Sequence, residues 1–96
     1  MRDYELVFII SPEVAEENVP AIVEKVQQFI AGRGGEVTGV NHWGRRKLAY
    51  PIRRFTEGNY VLNLIKMDPK LTAELEANLL TSEDILRHLL VRVDSK

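Results

Sequence analysis

Cysteine is absent from the 96 residues, which removes disulfides, thiol nucleophiles and thiolate metal sites together and leaves any redox chemistry dependent on a bound cofactor. No apolar run approaches the roughly 20 residues that span a bilayer, and the N-terminus lacks the charged-then-apolar layout of a signal peptide, so a soluble, unexported, cytoplasmic protein is expected. Charge of one sign is also missing: 13 Lys and Arg against 14 Asp and Glu give a formal net charge of -1. The molecule as a whole therefore has no long-range attraction for a polyanion, and any nucleic-acid contact has to be local. Histidine is scarce as well, and neither His42 nor His88 belongs to a metal-ligand or Ser-His-Asp spacing. The glycines between Gly32 and Gly35, and Gly58, do not form a phosphate-cradling loop, because none occupies a strand-to-helix turn with the required lysine. Pairs such as Glu16-Glu17 and Glu83-Asp84 read as solvated surface. No catalytic constellation remains, so no enzyme activity, cofactor, metal or small-molecule substrate is expected. The length fits one compact domain over residues 1–96, with no separate tail domain.

What the chain does contain is His42-Trp43-Gly44-Arg45-Arg46-Lys47-Leu48-Ala49-Tyr50-Pro51-Ile52. Arg53 and Arg54 follow directly, and no acidic residue interrupts the stretch from Val37 to Thr56. Cations interleaved with rings suit RNA twice over, since Arg and Lys bind phosphate oxygens while Trp and Tyr offer flat faces to unpaired bases. The same run also suits a solvated edge strand whose charges discourage sheet-to-sheet pairing. Composition alone does not choose between them.

Periodicity supplies the architecture. Tyr4 to Ile10 is β-branched and aromatic, and reads as a central strand. Ser11-Pro12-Glu13 can start a helical turn with Ser11 as its cap, but Pro20 moves the start of the main helix to about Asn18, where proline falls in the first turn. Val19, Ile22, Val23, Val26, Phe29 and Ile30 make its apolar stripe, and Gly32 to Gly35 end it. Glu36 to about Lys47 reads as an edge strand bent at Gly39. Thr56-Glu57-Gly58-Asn59 reads as the turn of a long basic loop between Ile52 and Asn59. Tyr60 to Met67 is a third strand, and Asp68 caps a helix from Lys70 to about Leu80, in which Leu71, Leu75 and Leu79 recur on one edge. Ile85 to Val93 completes a β-α-β-β-α-β order. This is the α+β, ferredoxin-like split βαβ arrangement, a four-stranded antiparallel sheet with two helices on one face.

One sheet face is then left uncovered, and its residues should be polar. They are not. With Leu6, Phe8 and Ile10 turned to the helices, Val7, Ile9, Tyr60, Leu62 and Leu64 form an apolar patch on the open face, interrupted by Glu5 and Lys66, which points to a protein partner. Strand propensity offers a plainer account of the same residues. The basic-Gly-aromatic signature of an RNA-recognition motif is absent from the central strands, so base stacking on the sheet itself is not expected.

Met1-Arg2-Asp3-Tyr4-Glu5, the run Trp43 to Ile52, and Leu86-Arg87 to Val91-Arg92 together resemble the bacterial small-subunit ribosomal protein S6 family over nearly the whole chain. The resemblance implies the ferredoxin-like fold and a structural role on the ribosome. It also implies binding to central-domain small-subunit rRNA jointly with ribosomal protein S18, as a heterodimer among other small-subunit components. Carried onto matching positions, it makes Arg2, Trp43, Arg45, Arg46, Lys47 and Tyr50 candidates for rRNA or partner contact. His42, Arg53 and Arg54 join them as flanking residues. Some family members carry a long acidic C-terminal tail, whereas this sequence ends at Lys96 directly after the last expected strand, so functions tied to that tail are not carried over. The competing readings are a ferredoxin-like ligand-sensing or oligomerising module without RNA binding, and a ferredoxin-like enzyme.

Overall fold

The computed structural model describes residues 1–93. Strand β1 (Arg2–Ile10) is followed by a 3₁₀ turn at Glu16–Asn18, helix α1 (Val19–Ala31), strands β2 (Glu36–Ile52) and β3 (Phe55–Met67), a second 3₁₀ turn at Pro69–Leu71, helix α2 (Thr72–Thr81) and strand β4 (Ile85–Val93). All pairings are antiparallel, in the order β2-β3-β1-β4. The expected α+β split βαβ fold is present, with β1 and β3 in the centre. Residues 94–96, on which the expectation about the chain's end rests, lie outside the described residues.

The core follows from strand alternation. Leu6, Phe8 and Ile10 are fully buried on one face of β1, and Val61, Ile65 and Met67 on the same face of β3 join them. Onto this layer pack Val19, Ile22, Val23, Val26 and Ile30 from α1 and Leu71, Leu75 and Leu79 from the α2 segment. Burying each such side chain is worth about 1.5–3 kcal/mol, which is why the sheet and helices specify one another. Phe29 is only half-buried, its ring covered by the Arg33 guanidinium 3.9 Å from the centroid.

Local signals are obeyed at most boundaries. Pro20 sits in the first turn of α1, where its missing N–H is not needed. Asp68 accepts a hydrogen bond from the Lys70 amide at 2.9 Å, but it caps the 3₁₀ turn Pro69–Leu71 and not the helix itself, which starts at Thr72. Ser11 departs from expectation: its hydroxyl accepts from the Glu13 amide at 3.2 Å and closes a turn, and the helix begins only after the intervening 3₁₀ segment.

The larger departure is the β2–β3 connection. It is no long loop. The strands run on to Ile52 and from Phe55, so Thr56-Glu57-Gly58-Asn59 lies inside β3 and the reversal takes two residues, Arg53 and Arg54. Both have positive φ, 50° and 72°, the requirement of a tight hairpin loop that glycine and asparagine usually meet. Two arginines carry no such signal in sequence. Pro51 is accommodated because β2 is an edge strand with a free outer side. The last β3 residue paired with β1 is Asn59, opposite Ile10. Beyond it β2 and β3 continue as a two-stranded ribbon. Lys47 pairs with Glu57 and Ile52 with Phe55, so β2 holds extra residues there and bulges, which curls the ribbon.

Candidate nucleic-acid and partner interface

The ribbon curls over the open face of the sheet. Leu48, Ala49, Tyr50 and Ile52 from β2 approach Val7, Ile9 and Tyr60 on the central strands and Arg87, His88 and Leu89 on β4, bounding a half-open, largely apolar cavity of about 280 Å³. Gly58 allows this approach: a Cβ there would lie 2.5 Å from Ile9 Cγ2 and 3.0 Å from the Ile10 carbonyl oxygen. At the tip, Arg53 Nη1 donates to the Glu83 carbonyl at 3.5 Å, linking the ribbon to the segment before β4.

Strand geometry divides the basic run between two faces. A register shift at His42/Gly44, where Gly44 takes φ 82°, places Trp43 on the open side. There it stacks on Tyr60 with centroids 6.3 Å apart and planes 15° off parallel. The Arg46 guanidinium lies 5.3 Å over the Trp43 ring and its Nε donates to the Trp43 carbonyl at 3.4 Å. On the same side, the Arg87 guanidinium lies 5.4 Å from the centroid of Tyr50. Tyr60, Trp43 and Arg46 thus form one stack and Tyr50 with Arg87 a second, both facing solvent.

Arg45 and Lys47 pair with Asn59 and Glu57, and alternation puts both on the opposite, helix-covered side. Arg45 Nη1 donates to Glu57 Oε1 at 2.8 Å, its Nε lies 3.8 Å from Glu16 Oε1, and Nη2 donates to the Pro12 carbonyl at 3.4 Å. His42, opposite Val61, also belongs to the helix side of the edge strand and is exposed. Arg2, opposite Met67, is at the far end of the sheet, about 26 Å along β1 from Ile10 at the usual strand rise. The structure therefore brings Trp43, Arg46, Tyr50 and Tyr60 together, with Arg53 and Arg54 at the ribbon tip, and separates them from Arg2, His42, Arg45 and Lys47.

The apolar face is broader than the sequence indicated. Val7, Tyr60 and Leu62 are half-buried and Leu64 is exposed, all on the open side as expected, while Ile9 is buried beneath the ribbon. Leu89, Val91 and Val93 of β4 extend the patch and are exposed. Sequence reasoning left out these residues and Arg87, because only topology puts β4 beside β1; the recurrence of Leu86-Arg87 in the resemblance was the available signal. At the other end of this face Asp3 and Glu5 line a second concavity with Thr38, Leu64 and Val93. His88 faces α2, where its Nε2 lies 3.2 Å from Glu76 Oε1. Among the described residues, no three His, Cys, Asp or Glu side chains group to hold a metal ion, and no helix is long and apolar enough to cross a membrane.

Comparison with known proteins agrees over the full length. The model of the family described as ribosomal protein S6 matches residues 3–92. The small ribosomal subunit protein bS6 of Desulforamulus reducens is 45% identical over 92 residues, covering 96% of this chain and 97% of that protein. Its counterpart from Moorella thermoacetica is 43% identical over 96 residues, covering 100% and 98%. Among solved structures, the crystal structure of 30S ribosomal protein S6 from Thermotoga maritima superposes with a TM-score of 0.90 at 36% identity, covering 96% of this chain and 87% of that one.

Proposed function

The chain belongs to the ribosomal protein S6 family, and from that premise we propose that it is a non-catalytic component of the small ribosomal subunit, which binds central-domain rRNA jointly with ribosomal protein S18. The observation that carries the RNA half is the pair of exposed guanidinium–ring stacks at the ribbon end of the open face, Arg46 on Trp43 and Arg87 on Tyr50. A guanidinium layered on a ring presents a flat cationic surface, and this suits an unpaired base with its phosphate better than it suits a duplex groove. Arg53 and Arg54 add charge at the tip.

The partner half rests on the apolar strip Val7, Leu62, Leu64, Leu89 and Val91, which continues into the cavity under the ribbon. A protein with net charge -1 places few cations on phosphates, and affinity for RNA rises with that number. A basic partner seated on this strip supplies the rest, so the two proteins bind RNA better together than apart.

The test is an electrophoretic shift of a central-domain rRNA fragment with this protein, with S18 and with both, over a salt series. A shift that needs both proteins, and that Arg46→Ala and rising salt each weaken, is the expected result. No shift in any combination removes the rRNA reading and leaves a sheet-mediated oligomer or ligand module in its place.

A further inference from the structure

Arg45 stands at the centre of the basic run, yet its guanidinium is committed within the molecule. Its partners come from two separate places: Glu57 across the ribbon at 2.8 Å, and Pro12 and Glu16 on the connection between β1 and α1, at 3.4 and 3.8 Å. The position matters. Arg45 pairs with Asn59, the last residue of β3 held by β1, so it lies at the root of the ribbon, where β2 and β3 leave the sheet. Past this point each ribbon strand has only the other as its ladder partner.

We propose that Arg45 is a positioning residue and not an RNA contact: it braces the root of the ribbon and so fixes where Arg46, Tyr50 and the Arg53-Arg54 tip beyond it stand over the open face of the sheet. The functional half of this inference rests on the rRNA reading above. Electrostatics separates the two roles. A phosphate approaching Arg45 meets the carboxylates of Glu57 and Glu16 within 4.0 Å of the same guanidinium, and would have to displace them against like-charge repulsion. Arg46 is differently placed, bonded to a backbone carbonyl and lying over a ring on the opposite face.

Arg45→Gln and Glu57→Gln distinguish a brace from a contact, because the two roles predict different responses to the second variant. In the full-length protein, both should speed amide hydrogen exchange in the ribbon beyond Arg45. Both should also weaken the joint complex with S18 and the rRNA fragment by about two- to fivefold, the range of a partly exposed ion pair, with the salt dependence of binding unchanged. The proposal is overturned if Arg45→Gln lowers the salt slope by about one, the mark of a lost phosphate contact, while Glu57→Gln leaves binding unaltered or tightens it. If the wild-type protein binds no rRNA, the functional reading fails, and exchange in the free protein decides the brace by itself. Faster ribbon exchange in both variants upholds it, and unchanged exchange overturns it.

Discussion

Across the backbone of the same sheet, two apolar layers meet different fates. On one side Leu6, Phe8 and Ile10 are completely buried under the helices; on the other, Leu64 remains 42% and Leu89 61% exposed. Residue type does not distinguish the layers, since both are built from large aliphatic and aromatic side chains. Coverage does: α1 and α2 both pack on the first face, while on the second, among the described residues, only the curled ribbon shelters one end, around Ile9. Equal hydrophobicity with unequal coverage means that the first layer stabilises the fold, whereas the second keeps transfer free energy available for a partner.

The largest effect expected from this contrast is on stability. Phe8→Ala should cost about 3–5 kcal/mol by leaving a cavity that the helix and sheet layers cannot close, read as a drop in the urea midpoint at constant slope. Leu89→Glu, on the opposite face, should move stability by no more than about 0.5 kcal/mol. Its effect should appear instead in S18 binding, by about 2 kcal/mol or roughly thirtyfold, if Leu89 anchors the interface. Isothermal titration with purified S18 measures this. Intact binding by Leu89→Glu would remove the open face from the partner assignment, and a large loss of stability would erase the distinction between the layers.

A third effect lies where the open face is roofed. Arg53 and Arg54 hold φ values of 50° and 72°, a region that costs a non-glycine residue about 1–2 kcal/mol. Replacing them with Asn-Gly should raise stability by about 1–2 kcal/mol while lowering RNA affinity through the loss of two cations. Thermal unfolding and the gel-shift series measure the two halves. A more stable ribbon that binds RNA as well as the wild type would show that the strained arginines serve some end other than rRNA.

These contrasts also show how far sequence could be read. Leu6, Phe8 and Ile10, the α1 stripe and the Leu71, Leu75, Leu79 series were legible because a periodic pattern needs only the local chain to interpret it. The ribbon was not. Thr56-Glu57-Gly58-Asn59 has turn composition, yet Gly58 serves a close approach to Ile9, and the real reversal sits on two arginines without turn character. The basic run was visible as a cluster, but contiguity in sequence became opposition in space once strand alternation and the shift at Gly44 sorted Arg46 from Arg45 and Lys47. Arg87 illustrates the converse. It reaches Tyr50 only because β4 lies beside β1 and the ribbon curls back to meet it.

The smallest expected effect calibrates the helix-covered side. Arg33 joins the end of α1 to α2 through a 2.6 Å contact with Glu74, with side chains 41% and 55% exposed. A pair this open should contribute only about 0.2–1 kcal/mol, so Glu74→Gln should lower the urea midpoint slightly at low salt. In 1 M salt, where the screening length falls to about 3 Å, the difference should nearly vanish. Arg33→Ala should cost more, because it also uncovers the Phe29 ring that the guanidinium shields. A Glu74→Gln loss well above 1 kcal/mol, persisting in high salt, would mean that charge rather than Leu75 and Leu79 holds α2 on the sheet. The helix-covered layer would then owe its closure to something the open layer lacks besides helices.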